Sequence, residues 1–209
     1  MFYMKKTVLF GTLTLACGVA AQAQSSRPNV ILILADDLGF GDLSCYGAHQ
    51  IKTPHVDSLA QAGIRFTNAH ACAATSTPSR YSLLTGQYPF RQRGTDVAAG
   101  NAASIIKSEQ TTVADVFKQA GYRTAAIGKW HLGLGSVTAQ QDWNGTLDVT
   151  PADLGFDYHY IMAATADRVP CVYIEQGRVA NYDASAPIEV SYQQNFAGEP
   201  TGRENPELL

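Results

Sequence analysis

The chain has 209 residues, 45% of them hydrophobic and 16% charged, with a formal net charge of −3. That composition belongs to a globular protein and argues against a disordered or fibrous one. The mild acidity argues against a nucleic-acid-wrapping surface, although a small anion can still sit in a local basic pocket.

At the amino end, Lys5 and Lys6 precede an apolar run over residues 8–16, and the small-residue pattern Ala21-Gln22-Ala23 follows. This reads as a secretory signal peptide over residues 1–23, too short for a membrane span, with one domain over residues 24–209. A lipoprotein signal with Cys17 as the lipidated residue is the rival, and Thr14-Leu15-Ala16-Cys17 is a poor version of that box. An exported protein, periplasmic or secreted, is expected. Cys45, Cys72 and Cys171 remain after such a cleavage, too few and too odd for a disulfide framework. One bridge stays open, and each cysteine is expected as a small buried apolar residue.

Residues 29–35, Asn-Val-Ile-Leu-Ile-Leu-Ala, form a continuous apolar run rich in β-formers, as in a strand buried on both faces of a parallel sheet. Thr53-Pro54 supplies a cap and a proline for a helix whose Val56, Leu59, Ala60 and Ile64 keep helical spacing, with Gly63 as the stop. A second strand is expected over residues 64–69. Pro78 opens a helix running through Leu83 to Thr85 and closed by Gly86. Thr112 starts another, with Val113, Val116, Phe117 and Ala120 on one face and Gly121 as terminator, and a strand over residues 123–127 follows.

From Gly133 onward the pattern loosens, and the clearest element is a hairpin, Cys171-Val172-Tyr173-Ile174 before Glu175-Gln176-Gly177 and Arg178-Val179 after. Strand, helix and strand in alternation imply an α/β fold, a mostly parallel sheet sandwiched by helices. Active sites in such folds collect beyond the carboxyl ends of the strands. The last residues carry no closing element, so the expected domain is incomplete.

Two constellations can carry chemistry. Asp36 and Asp37, adjacent at a strand end, repel each other unless a cation or hydrogen-bond donors sit between them, and a hard divalent ion answers that need. The plainer alternative is that one caps a turn and the other faces water. Ser76-Thr77-Pro78-Ser79-Arg80 places a hydroxyl just before a helix N-terminus, where the macrodipole and free N–H groups favour an anion. Arg80, about one turn in, can fold back as a fixed cation. Together these residues make an anion site with a potential nucleophile.

Ser76-x-Pro78-Ser79-Arg80-x-x-Leu83-Leu84-Thr85-Gly86 resembles the signature of the formylglycine-dependent sulfatases, in the form with serine where cysteine is usual. Pro28-Asn29-Val30 through Asp36-Asp37, Thr53-Pro54-His55-Val56-Asp57-Ser58-Leu59-Ala60 and Gly128-Lys129-Trp130-His131-Leu132-Gly133 agree in order and spacing. The resemblance is strong over residues 27–135 and weak beyond. It implies an alkaline-phosphatase-like α/β fold and a sulfuric ester hydrolase, an arylsulfatase-like enzyme acting on a sulfated small molecule or glycan.

By this resemblance a formylglycine-generating maturation enzyme oxidises Ser76 to formylglycine. The hydrated aldehyde offers one hydroxyl to attack sulfur and a second to expel sulfate, which an ordinary serine cannot do. One calcium ion would be bound by Asp36, Asp37 and the modified Ser76. Arg80 would steady the nucleophile, Lys129 would reach a sulfate oxygen, and His131 would take a proton from the diol.

Taken alone, Lys129 reads as a surface lysine and His131 as a structural histidine. They gain weight because they follow a predicted strand. His49, His55, His70 and His159 gain no such support and are read as structural. The family's second acidic and amide pair has no counterpart over residues 133–209, so the remaining ligands are expected outside this stretch. Two rivals stay open. One is a phosphomonoester or phosphodiester hydrolase of the same superfamily with unmodified Ser76; the other is an inactive fragment that at most binds a sulfated ligand.

Overall fold

In the computed structural model, residues 27–191 and 198 are described. The leader expected over residues 1–23, Cys17 included, lies outside them. Two compact units divide after Leu38. No helix among the described residues is long and apolar enough to cross a membrane.

In the N-terminal unit, residues 29–35 are extended but join no β-ladder, and Ile31 is 84% exposed. The expected buried strand is therefore absent from the described residues. Apolar β-formers favour the extended backbone, but a strand also requires a neighbour for its N–H and C=O groups. Asp36 and Asp37 follow at an exposed bend, with Asp37 in the left-handed region at φ 53.

The second unit begins at Gly39 and builds three helices and a four-stranded sheet. Helix α1 spans Pro54–Ala62 and ends at Gly63, as its proline and glycine punctuation anticipates. Thr53 Oγ1 does not cap the helix; it donates to Asp57 Oδ1 at 3.1 Å and lies 2.9 Å from Ser44 Oγ. Residues 64–69 are irregular, with a bend at residues 67–68, and do not form the expected strand.

Helix α2 spans Ser76–Thr85, opening two residues before the proline, and Gly86 ends it in the left-handed conformation at φ 68. Helix α3, Val113–Gln119, carries a full capping box between Thr112 and Asp115. Its buried residue is Ala114, outside the face of Val113, Val116, Phe117 and Ala120, and Val116 is 55% exposed. Apolar spacing marks a stripe, but only a packed neighbour decides whether it is covered.

Strand β1, Ala125–Lys129, pairs in parallel with β2, Tyr158–Met162. Two antiparallel steps add β3, Tyr173–Glu175, and β4, Arg178–Val179. The sheet is thus mixed, in the order β1-β2-β3-β4, within an α/β fold. The hairpin falls where its turn residues indicate: Gln176 and Gly177 both have positive φ, 47 and 82, as a two-residue primed turn requires. Strand β2 alternates, with His159 and Ile161 buried between Tyr158, Tyr160 and Met162. The core gathers Tyr81, Ile106, Trp130, Leu132, Leu154, Ile161 and Ile174 around one face of this sheet.

Ile127 on β1 is 68% exposed, so helices do not cover both sheet faces among the described residues. The cysteines also depart from expectation: Cys45, Cys72 and Cys171 are free, the first half-buried and the others exposed.

Candidate active site

The site grows from the carboxyl end of β1. Past Lys129 the chain stays alongside β2, with Trp130 N donating to the Met162 carbonyl at 3.0 Å and His131 N to the Ala163 carbonyl at 3.1 Å. His131 adopts a left-handed backbone at φ 57, uncommon for a residue with a Cβ and held here by burial, since it is 1% exposed. Just beyond, Gly133 has φ 73, and a Cβ there would lie 1.9 Å from the Ala103 carbonyl oxygen. Only glycine allows the chain to pass that close.

His131 binds two partners through its ring. Nε2 is 2.8 Å from the Ala98 carbonyl and Nδ1 is 2.9 Å from Ser76 Oγ. A carbonyl only accepts, so Nε2–H donates to it and, in the neutral ring, the Nδ1 lone pair faces the Ser76 hydroxyl. Burial pushes the His131 pKa below its ordinary value. The Ala98 carbonyl opposes that shift, while the charges of Lys129, Arg168 and Arg80 reinforce it. A neutral ring with a free Nδ1 lone pair is a proton acceptor aimed at a hydroxyl.

Ser76 opens α2, and Thr75 before it makes no side-chain cap bond, so the first turn keeps donors for an anion. One helical turn on, Arg80 returns as its spacing indicates: Nε donates to Ser76 Oγ at 3.0 Å, and Nη1 to the Lys129 carbonyl at 2.6 Å. Ser76 Oγ therefore accepts from a guanidinium and donates to an imidazole. The Arg80 bond to the backbone of Lys129 ties α2 to the end of β1.

Thr77 and Ala98 belong to this network without having been singled out from the sequence. Thr77 is fully buried; its Oγ1 donates to the His131 carbonyl at 2.8 Å and accepts from Ala98 N at 3.0 Å. It thereby joins the backbone of His131 to the loop segment whose carbonyl holds the His131 ring. Fully buried Tyr81 fixes the other flank of α2, donating to Gln92 Oε1 at 2.8 Å and accepting from Gln110 Nε2 at 3.1 Å. Buried threonine and tyrosine hydroxyls need such partners, but nothing local in the sequence names them.

The structure thus brings Ser76, Arg80, Lys129 and His131 together within the second unit. Asp36 and Asp37 lie in the N-terminal unit. Of the histidines read as structural, His159 is buried and its Nε2 accepts from Gly177 N at 2.9 Å, and His70 Nε2 meets Asn68 Oδ1 at 2.7 Å.

Two carboxylates and one hydroxyl oxygen suit a hard cation in chemistry but fall short of the six to eight oxygens typical of calcium. Among the described residues no group of three or more His, Cys, Asp or Glu is arranged to hold a metal.

A sulfatase family model matches residues 28–183. The chain belongs to the sulfatase family. An N-acetylgalactosamine-6-O-sulfatase of Bacteroides thetaiotaomicron is 53% identical to this sulfatase chain over 185 residues, 88% of the chain and 36% of the relative. Human arylsulfatase A is 44% identical over 160 residues, 76% of the chain and 29% of the relative.

Among solved structures, one from work on the metabolism of multiple glycosaminoglycans by Bacteroides thetaiotaomicron superposes with a TM-score of 0.83 at 53% identity, covering 88% of this chain and 38% of that one. Ps i-CgsB in complex with k-i-k-neocarrahexaose gives a TM-score of 0.56 at 32% identity, covering 66% and 29%. These neighbours share the α/β, alkaline-phosphatase-like fold. The sulfatase chain spans about a third of the length of the curated relatives it matches.

Proposed function

We propose that this sulfatase chain carries the nucleophile end of an enzyme that hydrolyses a sulfate ester to an alcohol and inorganic sulfate. The observation that carries the reading is the Ser76 oxygen, held between Arg80 Nε at 3.0 Å and His131 Nδ1 at 2.9 Å. A hydroxyl polarised by a fixed cation and facing a neutral imidazole is an activated nucleophile. In the proposed reaction the oxygen at position 76 bonds to sulfur, the bond from sulfur to the alcohol oxygen breaks, and the alcohol leaves with a proton.

Formylglycine made from Ser76 by a maturation enzyme is part of the proposal; as its hydrate it would supply the second hydroxyl that an ordinary serine lacks for sulfate release. His131 takes the proton at Nδ1, Arg80 keeps the oxygen at position 76 in place, and Lys129 offers its charge to a sulfate oxygen. One calcium ion, for which the resemblance names Asp36 and Asp37 as carboxylate ligands, is also part of the proposal, and its charge would offset that of the sulfate. Export to the periplasm or beyond completes the reading. A sulfated glycan is the proposed substrate class, supported by relatives described as an N-acetylgalactosamine-6-O-sulfatase and as a complex with a neocarrahexaose.

The test is turnover of a sulfate monoester against the matching phosphate monoester, with calcium present and the complete reading frame expressed. Many turnovers of the sulfate ester are expected. Hydrolysis of the phosphate ester alone would favour a serine phosphohydrolase, and no turnover of either would leave at most a binding protein.

A further inference from the structure

Thr77 follows position 76 on α2, and its hydroxyl bonds backbone groups rather than the reacting oxygen. Three hydrogen bonds close a circuit through it. Ala98 N donates to Thr77 Oγ1 at 3.0 Å, Thr77 Oγ1 donates to the His131 carbonyl at 2.8 Å, and His131 Nε2 donates to the Ala98 carbonyl at 2.8 Å. Thr77, Ala98 and His131 are all buried.

The direction of each bond is forced. A peptide N–H only donates, so Thr77 Oγ1 accepts from Ala98 and spends its single proton on the His131 carbonyl. The Ala98 carbonyl only accepts, so Nε2 carries the ring proton and the Nδ1 lone pair faces Ser76 Oγ, 2.9 Å away. In the opposite tautomer the Nε2 lone pair would meet the Ala98 carbonyl oxygen, and Nδ1 would present a proton to the hydroxyl it has to deprotonate. The partner of one ring nitrogen thus fixes the task of the other.

The same hydroxyl acts on the backbone. His131 sits in the left-handed region at φ 57, with its N–H on the Ala163 carbonyl and its own carbonyl on Thr77 Oγ1. A residue stays in that region only where its surroundings over-determine it. Replacing the hydroxyl by a methyl of similar size leaves the Ala98 N–H and the His131 carbonyl buried without this shared partner. The Ala98 peptide is then free to turn, and its carbonyl leaves Nε2.

We infer that Thr77 is a positioning residue for the reaction: its hydroxyl sets the tautomer and the placement of the His131 ring by holding the Ala98 peptide and the His131 carbonyl together. This rests on the sulfatase reading for the task of His131, but the state of the ring can be read without turnover. A hydroxyl that served only the stability of the fold would leave the ring of the folded enzyme unchanged. Displacing a catalytic group by about 1 Å costs up to about 100-fold in rate.

The experiment uses the complete reading frame with calcium present, as wild type, Thr77→Val and Thr77→Ser, with His131→Gln to assign the ring signals. Nitrogen NMR of histidine-labelled protein, with the ring neutral, is expected to place the proton on Nε2 in wild type and Thr77→Ser, and to show an added Nδ1-protonated form in Thr77→Val. On 4-nitrophenyl sulfate or N-acetylgalactosamine 6-sulfate, whichever wild type turns over, kcat should fall about 10- to 100-fold in Thr77→Val with KM within about threefold, and Thr77→Ser should recover most of that loss. A Thr77→Val ring identical to the wild-type one would overturn the inference whatever the rate, as would a wild-type proton on Nδ1 or a loss in Thr77→Ser as large as about 10-fold. The last two results decide the matter even where Thr77→Val does not fold. Wild type idle on both esters would instead overturn the sulfatase reading, while the ring signals still judge Thr77.

Discussion

Around His131 the polar groups find partners within their own unit: Ser76, Thr77 and Ala98 each meet the histidine or its backbone, and Arg80 meets both Ser76 and Lys129. Residues 29–35 present the opposite condition, with Ile31 and Ile33 84% and 78% exposed and no ladder among the described residues. The first region is closed by side-chain bonds to nearby backbone, many of them made by one helix and the end of one strand. The second is an apolar segment whose strand character depends on neighbours in a sheet. A polar network can be completed locally, whereas burial of a strand on two faces cannot.

The largest effect should come from the hydroxyl itself. In the full reading frame, Ser76→Ala is expected to cost about 10⁴-fold or more in kcat on a sulfate ester, measured by sulfate release. Arg80→Lys should cost about 10²-fold, because an ammonium cannot bond Ser76 Oγ and the Lys129 carbonyl through one planar fork. A rate within threefold of wild type for either would break the account of the closed region.

The contrast between regions sharpens on stability. Leu132, 1% exposed and next to His131, should lose about 2–5 kcal/mol on substitution by alanine. Ile33→Ala in this chain should stay within about 0.5 kcal/mol in urea unfolding. A large loss at Ile33 would show that its apolar surface is already buried in the folded chain.

Acidification should produce the smallest effect. His131 and His159 are buried with pKa values lowered chiefly by burial. The unfolded chain then binds more protons than the folded one, so their stabilising contribution is present above the ordinary histidine pKa and is lost as pH falls through the lower folded values. The urea midpoint should therefore fall between pH 7 and pH 5, and His159→Gln should reduce that slope. A midpoint that rises on acidification would contradict the buried neutral rings.

The legible parts of the fold were those with local causes. The proline and glycine bounds of α1, the glycine stop of α2, the Thr112 cap and the Gln176-Gly177 turn all lie in a few consecutive residues. Strand β2 was missed because a histidine occupies one of its buried positions and masks the alternation that Tyr158, Tyr160 and Ile161 otherwise keep. Thr77 was passed over because its partners, His131 and Ala98, are 54 and 21 positions away and are backbone atoms. Ser76, Arg80, Lys129 and His131 could be named because a motif string and a strand end point at them. The distances among them, and the bracing by Thr77, are products of the fold.

The central claim is that the side chain at position 76 has been oxidised for sulfate transfer. Mass spectrometry of the proteolytic peptide spanning residue 76, taken from protein that turns over a sulfate ester, tests it most directly. The account predicts a peptide lighter than the serine form by two hydrogens, and an aldehyde that hydrazine traps. An unmodified serine in fully active protein would contradict it.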